Sequence, residues 1–456
     1  MRSKAVQTER LGPVVHTVWD IDTTCAFYRV PGLAMSLLLL LGLTACVRPI
    51  NPTPTLPTAQ VAPVDALVIR NGTALAGGDA IPVPNAVVII QGDHILAMGR
   101  AADWIIPPGA RVIDAQGGAI LPGIIDSHVS ATYDAFVRRL FLTEGVTAIC
   151  DLSPPLSALP TLAQESADSG PAARGFHAGP IITAPGGYPA SDVKAELRCE
   201  VSNAAEARAA VQDQVGRGVD VITIALDPGD AGQPLPILDL DTAKAAVDEA
   251  HRNGRPVRAL VPQAATLDTA LAAGVDAIEG VPLPQPAPLE IQATQQNVQA
   301  PALPDSLQTQ LAQAVARGII LVPALDMSTA TNCGRQDWSA DQKQFCLDQY
   351  LQIVRRFHDL GGQIALGNDY SADPNVQPGM PLQEMKLLQA AGLSTQEIIQ
   401  AATVRAAQVC GHRELGVLAP GKTADIIIVA GNPLADLQTL SRVQTVIQDG
   451  QVAFQK

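Results

Sequence analysis

Short β-branched runs interrupted by polar turns follow a Pro-rich stretch near the N-terminus. Three of them are "ALVIRNGTAL", "NAVVIIQGDHILAMGR" and "ARVIDAQGGAILPG", broken by Asn-Gly, Gln-Gly-Asp and Gly-Gly. Runs of this kind predict the strands of a small sheet. The pattern returns near the C-terminus in "GKTADIIIVAGNP" and "VQTVIQDGQVAFQK". We therefore predict one small β-sandwich domain built from both ends of the chain, residues 64–121 and 414–456.

Between these segments, short apolar strands alternate with Ala-rich helices. The strand "VDVITIAL" is followed by the helix "LDTAKAAVDEAHRNG" and then by the strand "PVRALVP". Alternating strands and helices predict a parallel sheet, and this many units predict a (β/α)8 TIM-like barrel. We expect an α/β fold with the barrel at residues 122–413.

The segment before the first strands is typical of a targeting sequence. An apolar run of about ten residues, Ala34 to Leu43, is too short to span a bilayer and fits a signal-peptide core. "LTAC", ending at Cys46, resembles the lipobox of bacterial lipoproteins, and residues 46–63 form a Pro- and Thr-rich tether. These features predict a signal peptide region over residues 1–45, lipidation of Cys46 and an extracytoplasmic protein anchored to the bacterial cell membrane. The alternative is a buried apolar segment with a Cys by chance, and the true start codon stays open.

Composition limits the classes of partner. The chain has 456 residues, of which 47% are hydrophobic and 16% charged, so it can bury a large core. The net charge of −14 argues against nucleic acid and against an anionic membrane surface as partners, although solubility is the simplest role of this charge. Because aromatic residues make up only 3% of the chain, we do not expect stacking platforms for bases or sugars.

The cysteines allow few disulfides. Of seven, Cys25 falls in the predicted signal region and Cys46 is the predicted lipidation site, which leaves five and therefore at most two disulfides. Cys333 and Cys346 share the polar segment "TNCGRQDWSADQKQFC" and are the best candidates for a pair, with two unpaired thiols as the alternative. Cys150 is either a nucleophile or a core thiol, and we favour the core thiol because no adjacent His supports activation.

Four stretches resemble a known family. "LPGIIDSHV", "FLTEGVTAICDLS" and "GGQIALGNDY" are similar to the first, second and eighth barrel strands of the amidohydrolase superfamily. A block of nearly fifty residues around "LAPGKTADIIIVAGNPL" resembles its C-terminal signature. The resemblance runs from Ala66 to the C-terminus and is strongest to the imidazolonepropionase and Xaa-Pro dipeptidase-like branch. The C-terminal block identifies the fold and not the chemistry.

The resemblance implies a metal site at the C-terminal ends of the barrel strands. Members of the superfamily use up to six ligands for one or two divalent metals such as zinc. These ligands are a His-x-His on strand one, a carboxylated Lys or a Glu on strand four, a His on each of strands five and six, and an Asp on strand eight. The metals turn a water molecule into hydroxide, and the Asp accepts the proton that this water loses.

Strands one and eight each keep one of these ligands. His128 matches the first His of strand one, but the second ligand position holds Ser130. Asp369 matches the strand-eight Asp and is therefore the candidate catalytic base. The other interpretation, which we favour, is a vestigial metal site in which His128 is buried and hydrogen-bonded to Asp369 as its fixed partner.

Strands four, five and six keep none of the ligands. The corresponding positions hold Thr223, Leu260 and Gly280. The chain has seven His, and no shift of register places one of them on strand five or six. Together with Ser130, these residues predict a pocket at the barrel mouth that is partly polar and partly apolar.

Two functions are compatible with this pattern. Zinc sites use three or four protein ligands, so one imidazole and one carboxylate would hold a metal weakly. A bound metal lowers the pKa of water by roughly nine units. Without metal, forming hydroxide therefore costs on the order of 12 kcal/mol more. We therefore predict no cofactor and favour a non-catalytic binding or scaffold protein that takes a small molecule or peptide at the barrel mouth. The alternative is a hydrolase of carbon–nitrogen bonds, in peptides or cyclic amides, that uses a non-standard site.

Overall fold

The structure is a computed structural model that describes residues 59–78, 81–132, 134–160, 170–189, 195–229, 233–284, 301–371 and 376–456. The predicted signal region and Cys46 lie outside the described residues, so both stay predictions. Within the described ranges, every helix is too short or too polar to span a bilayer.

The first strands of the chain belong to the small domain. Their bounds are β1 Gln60–Val61, β2 Leu67–Ala74, β3 Val83–Gln91, β4 His94–Arg100, β5 Trp104–Ile105, β6 Arg111–Asp114 and β7 Ala119–Pro122. β1 pairs in parallel with β5 although it falls inside the segment predicted as tether. Regular structure therefore begins before residue 64, because Gln60 and Val61 find a strand edge to pair with.

The next strands form the barrel-type part of the fold. Their bounds are β8 Ile124–Val129, β9 Val146–Asp151, β10 Arg174–His177, β11 Ile181–Thr183, β12 Arg198–Glu200, β13 Ile222–Ala225, β14 Val257–Leu260, β15 Ala277–Glu279 and β16 Ile320–Val322. Parallel pairing links β8, β9 and β10, and it links β11, β13, β14, β15 and β16, with β12 on the outer side of β11. Most of these strand residues are buried, as in parallel sheets that are covered on both faces.

Residues 363–370 occupy the place of an eighth strand although they form only isolated bridges. The amide of Leu321 in β16 donates to the carbonyl of Gln363 at 3.0 Å. On the other side, the amide of Ser127 in β8 donates to the carbonyl of Leu366, also at 3.0 Å. This segment therefore connects the last strand of the series to the first.

Helices follow the strands, as the alternating pattern predicts. Their bounds are α1 Ala135–Thr143, α2 Ala204–Gly216, α3 Leu240–Arg252, α4 Leu267–Ala273, α5 Asp305–Ala316, α6 Leu325–Cys333, α7 Ala340–Asp359, α8 Leu382–Ala390, α9 Thr395–Gln400 and α10 Ala406–Val409, with a π-helical turn at Ala401–Arg405 between the last two. Side chains fix several helix starts: Asp239 accepts from the amide of Thr242, and Ser339 forms a capping box with Gln342. Such caps satisfy amides that have no partner within the helix.

The end of the chain returns to the small domain. Its strands are β17 Ile426–Val429, β18 Val443–Gln448 and β19 Gln451–Gln455. They extend one sheet in the order β19-β18-β17-β7-β2-β3-β4, with β6 also paired to β2. β17 lies antiparallel to β7, with Ile428 opposite Ile120. Strands from both ends of the chain therefore share one sheet, while the domain boundaries given above stay predictions.

A disulfide joins Cys333 at the end of α6 to Cys346 in α7, with a Cα–Cα distance of 5.5 Å. The pairing predicted from the polar segment is confirmed. Cys150 lies fully buried among apolar residues.

Candidate functional site

His128 occupies the centre of the candidate site, one residue before the end of β8. Its side chain is only 9% exposed, and both ring nitrogens face carboxylates. Nδ1 lies 2.8 Å from Oε2 of Glu279, and Nε2 lies 3.4 Å from Oδ1 of Asp369. Burial opposes the charged imidazolium, but Asp369 and then Glu279 outweigh burial, so the pKa of His128 is raised above its usual value.

Glu279 forms a second ion pair deeper in the strands. Its Oε1 lies 2.6 Å from Nε of Arg258, and both side chains are fully buried. Arg258 also donates to the main-chain carbonyl of Ser127 in β8. Burial raises the pKa of Glu279, yet Arg258 and His128 more than offset burial, so the pKa is lowered and the carboxylate is charged. The chain therefore holds a positive charge of its own beside Glu279, the carboxylate that also contacts His128.

Asp369 faces the cavity from the segment after Leu366. Its side chain is 34% exposed, and its backbone φ of +56° lies in the left-handed region. The amide of Asp369 donates to the carbonyl of His128 at 2.8 Å, which fixes the segment against β8. Burial raises the pKa of Asp369, and the nearby charge of His128 offsets only part of that rise.

The approach of this segment to β8 depends on Gly367. A Cβ atom at Gly367 would lie 2.5 Å from Cβ of His128 and 2.8 Å from its main-chain nitrogen. Real Cβ atoms do not come so close to other heavy atoms. The glycine therefore permits the contact that brings Asp369 beside the imidazole.

Asp126 lies in β8 below His128 and is fully buried. Its Oδ1 accepts hydrogen bonds from the amides of His128 at 3.3 Å and Asn368 at 3.2 Å. The second bond ties residues 363–370, in the place of the eighth strand, to β8. Burial raises the pKa of Asp126 to about 7, and these two hydrogen bonds oppose the rise without cancelling it.

One cavity of about 160 Å³ brings together all six residues singled out from the sequence. Those residues are His128, Ser130, Thr223, Leu260, Gly280 and Asp369. All but Thr223, which lies within β13, are at or just beyond the C-terminal end of a parallel strand or of the segment in the eighth-strand place, and these ends converge on one face of the fold. The cavity is also lined by Leu152, Ser153, Ile181, Tyr188, Asp227, Pro262, Glu279, Ala324 and Ser328.

The residues present do not fit a divalent metal centre of the kind that the resemblance implies. Thr223, Leu260 and Gly280 provide no imidazole or carboxylate, which leaves only His128 and Asp369 of the ligand set that the resemblance implies. In the part of the chain that the structure describes, no three or more His, Cys, Asp or Glu side chains are arranged to hold a metal ion. A fully buried guanidinium, that of Arg258, already supplies the positive charge in this region.

Sequence reasoning missed Arg258 and Glu279 as members of the site. The available signal was a charged residue inside each of two short apolar strands, "VRAL" and "AIE". Leu260 is the register partner of Glu279, and Arg258 lies two residues before Leu260. Side chains two residues apart on a strand share a face, so Arg258 and Glu279 point toward the same interior.

Comparison with known proteins decides the family. The model of the amidohydrolase family matches residues 119–453, which is most of the chain. The chain belongs to the amidohydrolase family. The resemblance found in the strand and C-terminal motifs is thereby confirmed.

Curated relatives of this amidohydrolase-family chain match only in part. Imidazolonepropionase from Anaeromyxobacter dehalogenans is 35% identical over 78 residues, which is 16% of this chain and 18% of that protein. N-acyl-D-aspartate deacylase from Alcaligenes xylosoxydans xylosoxydans is 39% identical over 71 residues, which is 16% of this chain and 14% of that protein. The matches thus cover less than a third of the length of these relatives.

Solved structures resemble the amidohydrolase-family chain over much more of its length. Ochratoxinase from A. niger aligns with a TM-score of 0.69 at 20% identity, over 85% of this chain and 95% of that chain. A Xaa-Pro dipeptidase with methionine in its active site aligns with a TM-score of 0.68 at 21% identity, over 86% of this chain and all of that chain. Such identities show the fold alone, and they confirm the predicted α/β TIM-barrel class.

Proposed function

We propose that this amidohydrolase-family chain is a non-catalytic binding protein. Its barrel-mouth cavity takes a small molecule or a short peptide, and no metal takes part. The single observation that carries the proposal is that no three or more His, Cys, Asp or Glu side chains in the described part of the chain are arranged to hold a metal ion. Because Thr223, Leu260 and Gly280 supply neither imidazole nor carboxylate, His128 and Asp369 lack the further ligands that a zinc site needs.

The surrounding strand ends support the same conclusion. The positions that resemble metal-ligand positions on strands four, five and six hold Thr223, Leu260 and Gly280, which leave a cavity where the ligands of the family would stand. The ion pair of Arg258 with Glu279 is fully buried, so its charge is not free to polarise a substrate. These residues support a cavity that offers hydrogen-bonding groups but no metal centre to activate water.

The proposal is tested by metal content and activity together. The purified chain, dialysed against zinc and then against buffer, is expected to hold much less than stoichiometric metal. It is also expected to hydrolyse neither Xaa-Pro dipeptides nor cyclic amides. Near-stoichiometric zinc or manganese, lost along with amidase activity in His128→Ala or Asp369→Ala, would overturn the proposal. Zinc is also expected to leave the melting temperature unchanged, because only a ligand that binds the native state stabilises it.

A second candidate function is hydrolysis of carbon–nitrogen bonds through a non-standard site. The observation that favours it is the placement of Asp369, 34% exposed, beside the imidazole of His128 in the cavity. Solved structures of similar fold include a molinate hydrolase and a phenylurea hydrolase. Turnover that survives chelation but disappears in Asp369→Asn would favour this function over binding alone.

The proposal includes an extracytoplasmic location with a lipid anchor at Cys46 in the bacterial cell membrane. The support is the order of apolar core, small residues, Cys and Pro-rich tether along the sequence. The variant Cys46→Ala is expected to move the protein from the membrane fraction to the soluble fraction. A variant that stays in the membrane fraction would contradict the anchor.

A further inference from the structure

Negatively charged groups outnumber positively charged groups around the barrel-mouth cavity. Three carboxylates line it, those of Asp227, Glu279 and Asp369, and no Lys or Arg is among its described lining residues. His128 is the one imidazole there, and it already lies between Glu279 and Asp369. Against these three carboxylates, Arg258, which pairs with Glu279, and a protonated His128 contribute two positive charges, so these groups together leave a net charge of −1, and negative cavities attract cationic ligands.

Tyr188 lies near two of these carboxylates. Burial raises the pKa of Tyr188 to about 12, and the charges of Asp369 and Asp227 add to the effect of burial. The phenol is consequently neutral at ordinary pH and offers both an oxygen and an aromatic face. An aromatic face beside carboxylates is favourable for a cation.

Thr223 provides an independent sign of a missing ligand. Its side chain is fully buried, lines the cavity, and its hydroxyl has no hydrogen-bond partner in the described part of the chain. Buried polar groups in native proteins are normally satisfied. A ligand that donates a hydrogen bond inside the cavity would satisfy this hydroxyl.

The rest of the cavity limits the size and shape of the ligand. One part of its wall is apolar, formed by Leu152, Ile181, Leu260, Pro262 and Ala324. The volume of about 160 Å³ is below the roughly 300–1,000 Å³ of pockets for drug-sized ligands. A short aliphatic group fits such a wall and such a volume.

We propose that the cavity binds a small primary amine in its protonated form. The ammonium pairs with Asp369 and Asp227 and donates to the hydroxyl of Thr223, while the aliphatic part lies against the apolar wall. An ammonium has three donors and no acceptor, which matches two carboxylates and one hydroxyl. This inference rests on the proposed binding function and names the class of its ligand.

The test compares three probes of similar size and different charge on the full-length chain. Isothermal titration at millimolar concentrations is performed with n-butylammonium, n-butanol and butyrate. We expect measurable binding of n-butylammonium and at least a tenfold weaker affinity for the other two, because a carboxylate pair discriminates charge strongly. Tighter binding of n-butanol or butyrate would overturn the amine inference and leave the binding function standing.

Three variants locate the binding. Asp227→Asn and Thr223→Val are each expected to lower the affinity for n-butylammonium at least about tenfold, since each removes one of the groups that the ammonium contacts. Thr223→Val is also expected to keep or raise the melting temperature, because the hydroxyl it removes has no partner. Asp268→Asn, a neutralised exposed carboxylate at the start of α4, is the control and is expected to leave the affinity unchanged.

The outcomes separate this inference from the proposed function. Failure of all three probes to bind, or equal loss of affinity in the control variant, would overturn the amine inference. Metal content and amidase activity test the proposed function independently of any amine. Circular dichroism and thermal unfolding of each variant show whether a loss of affinity comes from misfolding, and Thr223→Val keeps the test decisive if Asp227→Asn does not fold.

Discussion

Replacing Arg258 with Met is the most direct test of the buried charge network. Nε of Arg258 lies 2.6 Å from Oε1 of Glu279, and neither side chain is exposed to solvent. Without the guanidinium, the carboxylate is left buried with only His128 beside it. Removing one partner of a buried pair typically costs about 3–5 kcal/mol, because an uncompensated charge remains in a medium of low dielectric constant.

The double variant Arg258→Met/Glu279→Gln separates lost charge pairing from lost packing. Glutamine removes the charge and keeps the shape, so we expect the double variant to be more stable than Arg258→Met alone. The assay is urea denaturation of the purified chain followed by circular dichroism, with free energies of unfolding from linear extrapolation. We also expect the deficit of Arg258→Met to shrink at pH 5, because an unpaired buried Glu279 takes up a proton more readily.

The matched control is a surface ion pair. Nζ of Lys244 lies 3.1 Å from Oδ1 of Asp248, and the two side chains are 53% and 48% exposed. Exposed pairs of this kind contribute about 0.3–0.5 kcal/mol, so Lys244→Met should have little effect. The reasoning is refuted if Arg258→Met costs no more than Lys244→Met, or if the double variant is less stable than Arg258→Met.

Three further predictions concern pH, packing and the disulfide. Asp126 has a pKa of about 7 in the folded protein, and its ordinary value is 3.8. Its contribution to the free energy of unfolding is therefore complete below about pH 4 and is lost as the pH rises toward 7, a change on the order of 4 kcal/mol. Asp126→Asn should flatten this part of the stability–pH profile, and an unchanged slope would contradict the assignment. Gly367→Ala should cost about 1–3 kcal/mol from overpacking, whereas Gly78→Ala, with open space around the added Cβ, should be tolerated; equal melting temperatures would argue against the close approach. Replacing Cys333 and Cys346, 13 residues apart, with Ser should lower the free energy of unfolding by about 3 kcal/mol, and reduction of the native protein should have the same effect.

Periodicity and turn signals predict the fold well because they act locally. Apolar runs such as "VITIA" are long enough to specify a strand, and their alternation with helices specifies a parallel sheet. Residues at strand ends could be placed together from the family resemblance, because parallel strands bring their C-terminal ends to one face. His128, Leu260 and Asp369 therefore meet in one cavity, as the motifs suggested.

The charged pair inside the strands could not be predicted with the same rules. Arg258 and Glu279 are 21 residues apart and bond only because β14 and β15 pair in one particular register. Hydropathy marks each of them as an exception to an apolar strand, but not as the partner of the other. The local rules also could not predict the pairing of residues 363–370. These residues form only isolated bridges, and their partners in β8 and β16 are distant in sequence.

The buried guanidinium of Arg258 also affects how a protein engineer could convert this chain into a metalloenzyme. Installing ligands at positions 130, 223, 260 and 280 would fill the positions that resemble metal-ligand positions, yet Glu279 would stay paired with Arg258 and would not be available to the metal. The engineered centre would need a fifth change, at residue 258.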